Sequence, residues 1–154
     1  MDLKSITVPT GVATAGMTVR QVFEECIRAH TPGLPFCDDN GLVTGRVTLK
    51  YILKHQYLPE HLVEMARVLG EQVSDVEDVE RSAKQLFENR IDSYLQRPHA
   101  SITSAAPIVK ALALMEKLDT GYLFVIDEGQ YIGVVTLLVL SRAILQFDNS
   151  SRSI

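Results

Sequence analysis

Gly33, Leu34, Pro35, Phe36 and Cys37, a turn through Asp39, Asn40 and Gly41, and then Gly45, Arg46, Val47, Thr48 and Leu49 make a statement that the chain makes twice. The second version reads Gly121, Tyr122, Leu123, Phe124 and Val125, then Asp127, Glu128 and Gly129, then Gly133, Val134, Val135, Thr136 and Leu137, each residue 88 positions on (121 − 33, 133 − 45, 136 − 48). Upstream the correspondence continues after a one-residue shift, which pairs Pro9 with Pro98, Thr14 with Thr103, and residues 18–26 with 107–115. A period this long, occurring twice, predicts two copies of a compact supersecondary unit and not a solenoid.

Working outward, the first copy opens on an extended stretch at residues 6–15 and then Thr18 with Gln21 three residues on, a capping-box pattern. Val19, Val22, Phe23, Cys26 and Ile27 follow at helical spacing, and Thr31, Pro32 and Gly33 stop that helix. The apolar run 34–37, the turn at Asp38, Asp39, Asn40 and Gly41, and the return at 42–47 read as a hairpin. Thr48 then opens a second helix, which Pro59 ends or restarts. The second copy repeats the order: 101–103 extended, Pro107 at a first helical position ahead of Ile108, Ala111, Leu112 and Met115, a hairpin at 122–126 and 130–135, and a last helix at 137–147. That helix is apolar almost all round. One side should face its own sheet and the other a second subunit, since a free surface helix of this composition would leave a large apolar patch. Val22, Phe23, Val47, Ala111, Leu112 and Val135 are expected in the core.

Between the copies, Leu62, Val63, Ala66 and Leu69 fit one short amphipathic helix, and Val76, Val79, Ala83, Leu86 and Phe87 another, separated at Gly70. The acidic residues Glu71, Asp75, Glu77, Asp78 and Glu80 surround the start of the second helix, where the dipole favours them. Two readings stand for that run, a solvated helix start and a contact for a basic partner. Likewise, the helical hairpin either packs on the body or serves as a docking arm.

With 154 residues, 46% hydrophobic and 22% charged, the chain has one ordinary domain's worth of core, divided between halves too small to be stable alone. A net charge of −4 and a pI near 5.5 leave no basic footprint for nucleic acid. Residues 1–5 are charged without an apolar stretch, and the longest uncharged apolar run, 130–141, is too short to span a bilayer. These features predict a soluble, cytoplasmic protein without membrane insertion. Cys37 stands where the second copy has Val125, and Cys26 where it has Met115, so both are expected as core residues and not as a disulfide or nucleophiles. His30, His55, His61 and His99 have no metal-ligand spacing, so no metal site is expected. No phosphate loop, nucleophile elbow or acid-base carboxylate pair is present, which predicts a protein that is not an enzyme.

A hydrophobic strand, an Asp/Asn/Gly turn, then Gly, two further positions and Thr opening a helix resembles the cystathionine β-synthase (CBS) domain. Two in tandem, over residues 9–57 and 91–147, resemble a Bateman module. The resemblance implies an α+β fold of two strand-helix-strand-strand-helix units about a pseudo-twofold axis, divided here as 1–57, the helical insertion 58–90, and 91–154. It also implies an adenine-containing ligand (AMP, ADP, ATP, S-adenosylmethionine or a cyclic dinucleotide) between the paired sheets, and a flat homodimer. Thr14, Leu34, Pro35, Thr103 and Tyr122 are placed by the same resemblance near base or ribose walls.

Thr48 and Thr136 each end a strand and open a helix, so their hydroxyls and the following N–H groups suit a phosphate or ribose oxygen. Each is equally read as an N-cap, the more so at Thr136. The family's acid three residues after this Thr, which accepts from both ribose hydroxyls, is Tyr51 in the first copy and Val139 in the second. Losing such charge-assisted bonds costs about 1.5–3 kcal/mol each. Tyr51 is a candidate to stack on the ligand or donate its hydroxyl. Arg46 and Lys50 flank Thr48, whereas Thr136 lies among Val134, Val135, Leu137 and Leu138, so an anion is expected in the first cleft and apolar contact in the second. The expected function is a stand-alone regulatory module that senses an adenine-containing metabolite and signals to a partner protein. The alternative is a ligand-free dimeric scaffold with degenerate nucleotide sites.

Overall fold

The computed structural model describes residues 2–58 and 76–152. In chain order it contains helix α1 (Val19–Ala29), strands β1 (Gly33–Cys37) and β2 (Val43–Thr48), helix α2 (Leu49–Tyr57), helix α3 (Val76–Glu88) and a 3-10 turn (Ile91–Tyr94). Strand β3 (Ser101–Ile102), helix α4 (Ile108–Leu118), strands β4 (Tyr122–Asp127) and β5 (Gln130–Thr136) and helix α5 (Leu137–Arg152) follow. The fold is α+β in two units, as expected. Of the two helices expected between the copies, α3 is the second; the one expected at 62–69, with Pro59 and Gly70, lies outside the described residues.

The predicted capping box starts α1: the Thr18 hydroxyl accepts the Gln21 N–H, and the Gln21 side chain accepts the Thr18 N–H. Such a cap is worth about 1 kcal/mol. His30 ends the helix in the left-handed conformation at φ 53°. Helix α4 differs slightly from expectation, because Pro107 is its N-cap, with an extended ψ of 158°, and Ile108 the first helical residue.

β1 and β2 form an antiparallel hairpin; β4 and β5 form another, to which β3 adds in parallel. Their registers correct the alignment read from sequence. Gly33 lies opposite Thr48, whereas Tyr122 lies opposite Thr136, so the structural counterpart of Gly33 is Tyr122 and not Gly121 (122 − 33 = 89). Leu34 therefore corresponds to Leu123, and Cys37 to Ile126 instead of Val125. The difference is absorbed in the turn, where Cys37 pairs with Val43 but Ile126 with Tyr131, one residue fewer. A one-residue slip moves every strand side chain to the opposite face, so it changes which residues meet between the units.

Each unit lends its leading segment to the other. Val8 pairs with Val134 through two backbone bonds of 2.9 Å, and Gln96 pairs with Arg46 through bonds of 2.7 and 3.0 Å. These bridges are related by the repeat (96 − 8 and 134 − 46 are both 88), as a pseudo-twofold axis requires. The incoming segments pass so close that a Cβ on Gly45 would stand 2.5 Å from the Gln96 carbonyl oxygen, and one on Gly133 would meet the Val8 carbonyl and Thr7.

Consequently, the cores are shared. Val19, Val22, Cys26, Leu34, Val47 and Ile52 of unit one are closed by Leu86 of α3 and by Ile91 and Tyr94. Leu3, from the start of the chain, is buried in unit two with Ile102, Ala111, Met115, Leu123, Val135 and Leu140. Of the residues expected inside, Val22, Val47, Ala111 and Val135 are fully buried; Phe23 and Leu112 are half-buried. Phe23 is covered by α3, its ring meeting Phe87 edge-on at 5.1 Å. Ile27, expected on the buried face, is 66% exposed. Cys26 and Cys37 are free and buried, and burial pushes the Cys26 thiol up to about 12. Leu140 and Ala143 of α5 are buried, while Leu137, Leu138, Ile144 and Leu145 point outward, Leu138 at 66% exposure.

Candidate functional site

The two strand-to-helix junctions use their threonines alike. Thr48 Oγ1 accepts the Tyr51 N–H at 3.1 Å, and Thr136 Oγ1 accepts the Val139 N–H at 3.1 Å. Both are buried N-caps, and in neither bond is the hydroxyl hydrogen used. Around them the junctions differ.

At the first junction the hairpin register puts Gly33 opposite Thr48 and Pro35 opposite Arg46, all on one face. The missing Gly33 side chain leaves space that unit two fills: the Tyr122 hydroxyl lies 3.3 Å from where a Gly33 Cβ would stand. Arg46 reaches the same place. Burial raises the Tyr122 phenol pKa, and the Arg46 guanidinium beside it acts in the opposite direction, through its charge and through a side-chain hydrogen bond to the phenol. Arg46 Nε is itself buried without a hydrogen-bond partner. Buried polar atoms are ordinarily satisfied, and leaving one unsatisfied costs about 1–3 kcal/mol. A cation from one unit and a phenol from the other therefore meet beside a helix N-terminus.

The counterparts at the second junction carry no such chemistry. Tyr122 there corresponds to Gly33, and Arg46 to Val134, which is buried with Tyr122 and Phe124. The two junctions thus differ, with Arg46 and Tyr122 at the first and Val134 at the second.

The remaining candidates are scattered. Lys50 is exposed on the first turn of α2. Tyr51 is half-buried, its ring stacked on His55 at 5.8 Å, and His55 in turn meets Tyr94 edge-on at 5.8 Å. Thr14 and Thr103 are exposed on equivalent turns, closed by the Met17 and Ala106 N–H groups. Leu34 is fully buried against α1 in unit one, so its side chain is core and not a cleft wall, a consequence of the register correction. Gly33 was missed, because only the corrected register shows that it faces Tyr122. Open grooves lie elsewhere, one around Leu112, Asp119 and Leu137, the other between residues 5–9 and Val139, Arg142 and Gln146. Among the described residues no three His, Cys, Asp or Glu side chains gather as a metal would need, and no helix is long and apolar enough to cross a membrane.

Comparison with known proteins fits this architecture. The CBS-domain family model matches residues 4–57 and 83–146. The chain belongs to the CBS-domain family, as a tandem pair of the Bateman type. Among curated proteins, a methylated protein of Methanocaldococcus jannaschii is 35% identical over 51 residues, 30% of this chain, and the match spans 29% of that relative's length. CBSX2 of Arabidopsis thaliana, a CBS-pair protein, superposes with a TM-score of 0.65 at 18% identity, over 96% of each chain. A structure of CBSX2 in complex with AMP gives 0.63 at 18% identity, over 96% of this chain and 98% of that one. A putative archaeal homologue of the AMP-activated kinase γ subunit from Methanocaldococcus jannaschii gives 0.66 at 16%, over 93% of this chain and 47% of that one.

Proposed function

We propose that this chain is a non-catalytic regulatory module that binds an adenine nucleotide or related metabolite in the first inter-unit cleft and passes the change to a partner protein in the cytoplasm. The observation that carries the reading is the meeting of Arg46, from unit one, with the Tyr122 hydroxyl, from unit two, beside the Thr48 cap. The AMP-bound CBSX2 of like fold supports adenine as the base. Units 1–57 and 91–154, with 58–90 between them, would act as one body, since each core takes residues from the other's leading segment. The outward face of α5 is proposed to meet a second copy.

A ligand-free dimeric scaffold is the second reading. It is favoured by Tyr51 and Val139 at the acid positions and by the Tyr122 hydroxyl standing against Gly33. Thermal shift with AMP, ADP, ATP, S-adenosylmethionine and a cyclic dinucleotide separates the two: a ligand at a hundred times its Kd stabilises by about 2.7 kcal/mol. No shift for any of them would leave the scaffold.

A further inference from the structure

Gly33 and Tyr122 are repeat counterparts, and they touch: the Tyr122 hydroxyl lies 3.3 Å from where a Gly33 Cβ would stand. A residue and its own counterpart meet only beside the pseudo-twofold axis, so the Tyr122 side chain reaches across that axis into the place of a side chain that unit one lacks. It is held from both units. Its ring packs edge-on against Phe124 at 5.5 Å, in one cluster with Val134. From unit one, the Arg46 side chain hydrogen-bonds its hydroxyl, and the Thr48 methyl comes within 3.0 Å of the same vacant Gly33 Cβ position. The junction is therefore filled. Tyr122 and Thr48 are buried, and neither open groove is lined by Gly33, Arg46, Thr48 or Tyr122. A ligand that uses the first cleft meets a side chain of the chain itself in its way.

We propose that Tyr122 is a gate on the first cleft: its ring closes the cleft in the unliganded module, Arg46 latches it, and a ligand enters only once the ring has left. The proposal rests on the reading of the first cleft as the ligand site and adds how that site is regulated. A site that is competent only when open shows an affinity lowered in proportion to the open fraction. One hydrogen bond to a charged group is enough to hold that fraction to about a tenth or a hundredth. The latch joins the units, since Tyr122 is the first residue of β4 and the Arg46 backbone pairs with Gln96 ahead of unit two. Its release acts on both at once. Each chain has one such gate, because the counterpart of Tyr122 is Gly33, which has no side chain.

The test is calorimetry on the full chain with AMP, ATP and S-adenosylmethionine, comparing the parent with Tyr122→Ala, Tyr122→Phe and Leu123→Ala. Tyr122→Ala removes the gate and should bind at least one of the three about tenfold or more tightly than the parent. Tyr122→Phe keeps the ring and loses the latch, so its affinity should fall between the two. Leu123→Ala is the control for general loosening: it truncates a fully buried neighbour that belongs to the core of unit two, and it should gain no affinity. If Tyr122→Ala fails to fold, Tyr122→Phe decides alone, a gain upholding the gate and no gain overturning it. Equal affinities for the parent and Tyr122→Ala, weaker binding by Tyr122→Ala, or an equal gain from Leu123→Ala overturns the gate while leaving the adenine reading intact. Binding by the Tyr122 variants and not by the parent upholds the gate and makes the native chain the scaffold. No heat from any ligand with any variant overturns both.

Discussion

Gly45 and Gly133 lie where the exchanged segments cross the hairpins, and neither needs a left-handed backbone; what they supply is the absence of a side chain against a carbonyl oxygen. Alanine at either position forces backbone apart, and we expect losses of about 1–3 kcal/mol in urea unfolding. Gly121 is the control, since a Cβ there meets nothing within 4 Å, and Gly121→Ala should change stability by less than about 0.5 kcal/mol. Glu25 is a second case in which one residue holds a loop. It pairs with Arg28 at 2.6 Å and accepts the Gly11 N–H, and Arg28 foremost holds its carboxyl down to about 2 against an ordinary 4.5. A depressed carboxylate pKa contributes stability that is complete above the unfolded value and lost as the pH falls through the folded one. The expected result is a stability curve that declines from about pH 4.5 towards pH 2, and Glu25→Gln should flatten it. At neutral pH the substitution should cost no more than about 1 kcal/mol, because the pair is partly solvated. A melting temperature independent of Glu25 across that range would refute the assignment.

Helix α3 lies partly inside the second segment that the family model matches, which begins at residue 83, and the structure gives it a packing role. Leu86 is fully buried in unit one, Phe87 meets Phe23, Arg20 lies 5.5 Å above the Phe87 ring, and the Ser82 hydroxyl donates to Tyr57 at 3.1 Å. Leu86→Ala should destabilise by about 2–5 kcal/mol, as for any large-to-small change in a closed core. An exposed docking arm would lose almost nothing. Sequence periodicity located this helix through Val76, Val79, Ala83, Leu86 and Phe87, yet two arrangements were open because amphipathicity reports that a face is covered and not by what. The partner, Phe23 on α1, comes only from the tertiary arrangement.

For the whole molecule, the exchange of leading segments makes the two units interdependent. Leu3 is fully buried in unit two although it belongs to the start of unit one. Leu3→Ala should therefore cost about 2–5 kcal/mol, in a single cooperative transition that includes probes in both units. Two separate transitions would contradict the shared cores. The outward face of α5 bears on assembly. Leu138 and Leu145 are 66% and 60% exposed, so charge there touches little within the chain. If that face meets a second copy, Leu138→Glu or Leu145→Glu should yield a folded monomer by light scattering from a dimeric parent. A monomeric parent would end the dimer proposal.

The doubling of the motif was legible without any structure, and with it the α+β class, the hairpins, the capping box at Thr18 and the inward side of most helices. All of these follow from local spacing, which one chain displays directly. The threonine junctions were legible as well, along with the excess of cations at Thr48 and their absence at Thr136. Strand register was not. Gly33 to Cys37 and Tyr122 to Ile126 are apolar on both faces, so no alternation marks which residue looks where, and a turn one residue longer in the first hairpin shifts the whole strand. That single step decides that Leu34 is core, that Gly33 leaves room, and that Tyr122 of one unit stands beside Arg46 of the other. Contacts between units join residues far apart in the chain, and only the tertiary structure brings that guanidinium and that phenol to one point.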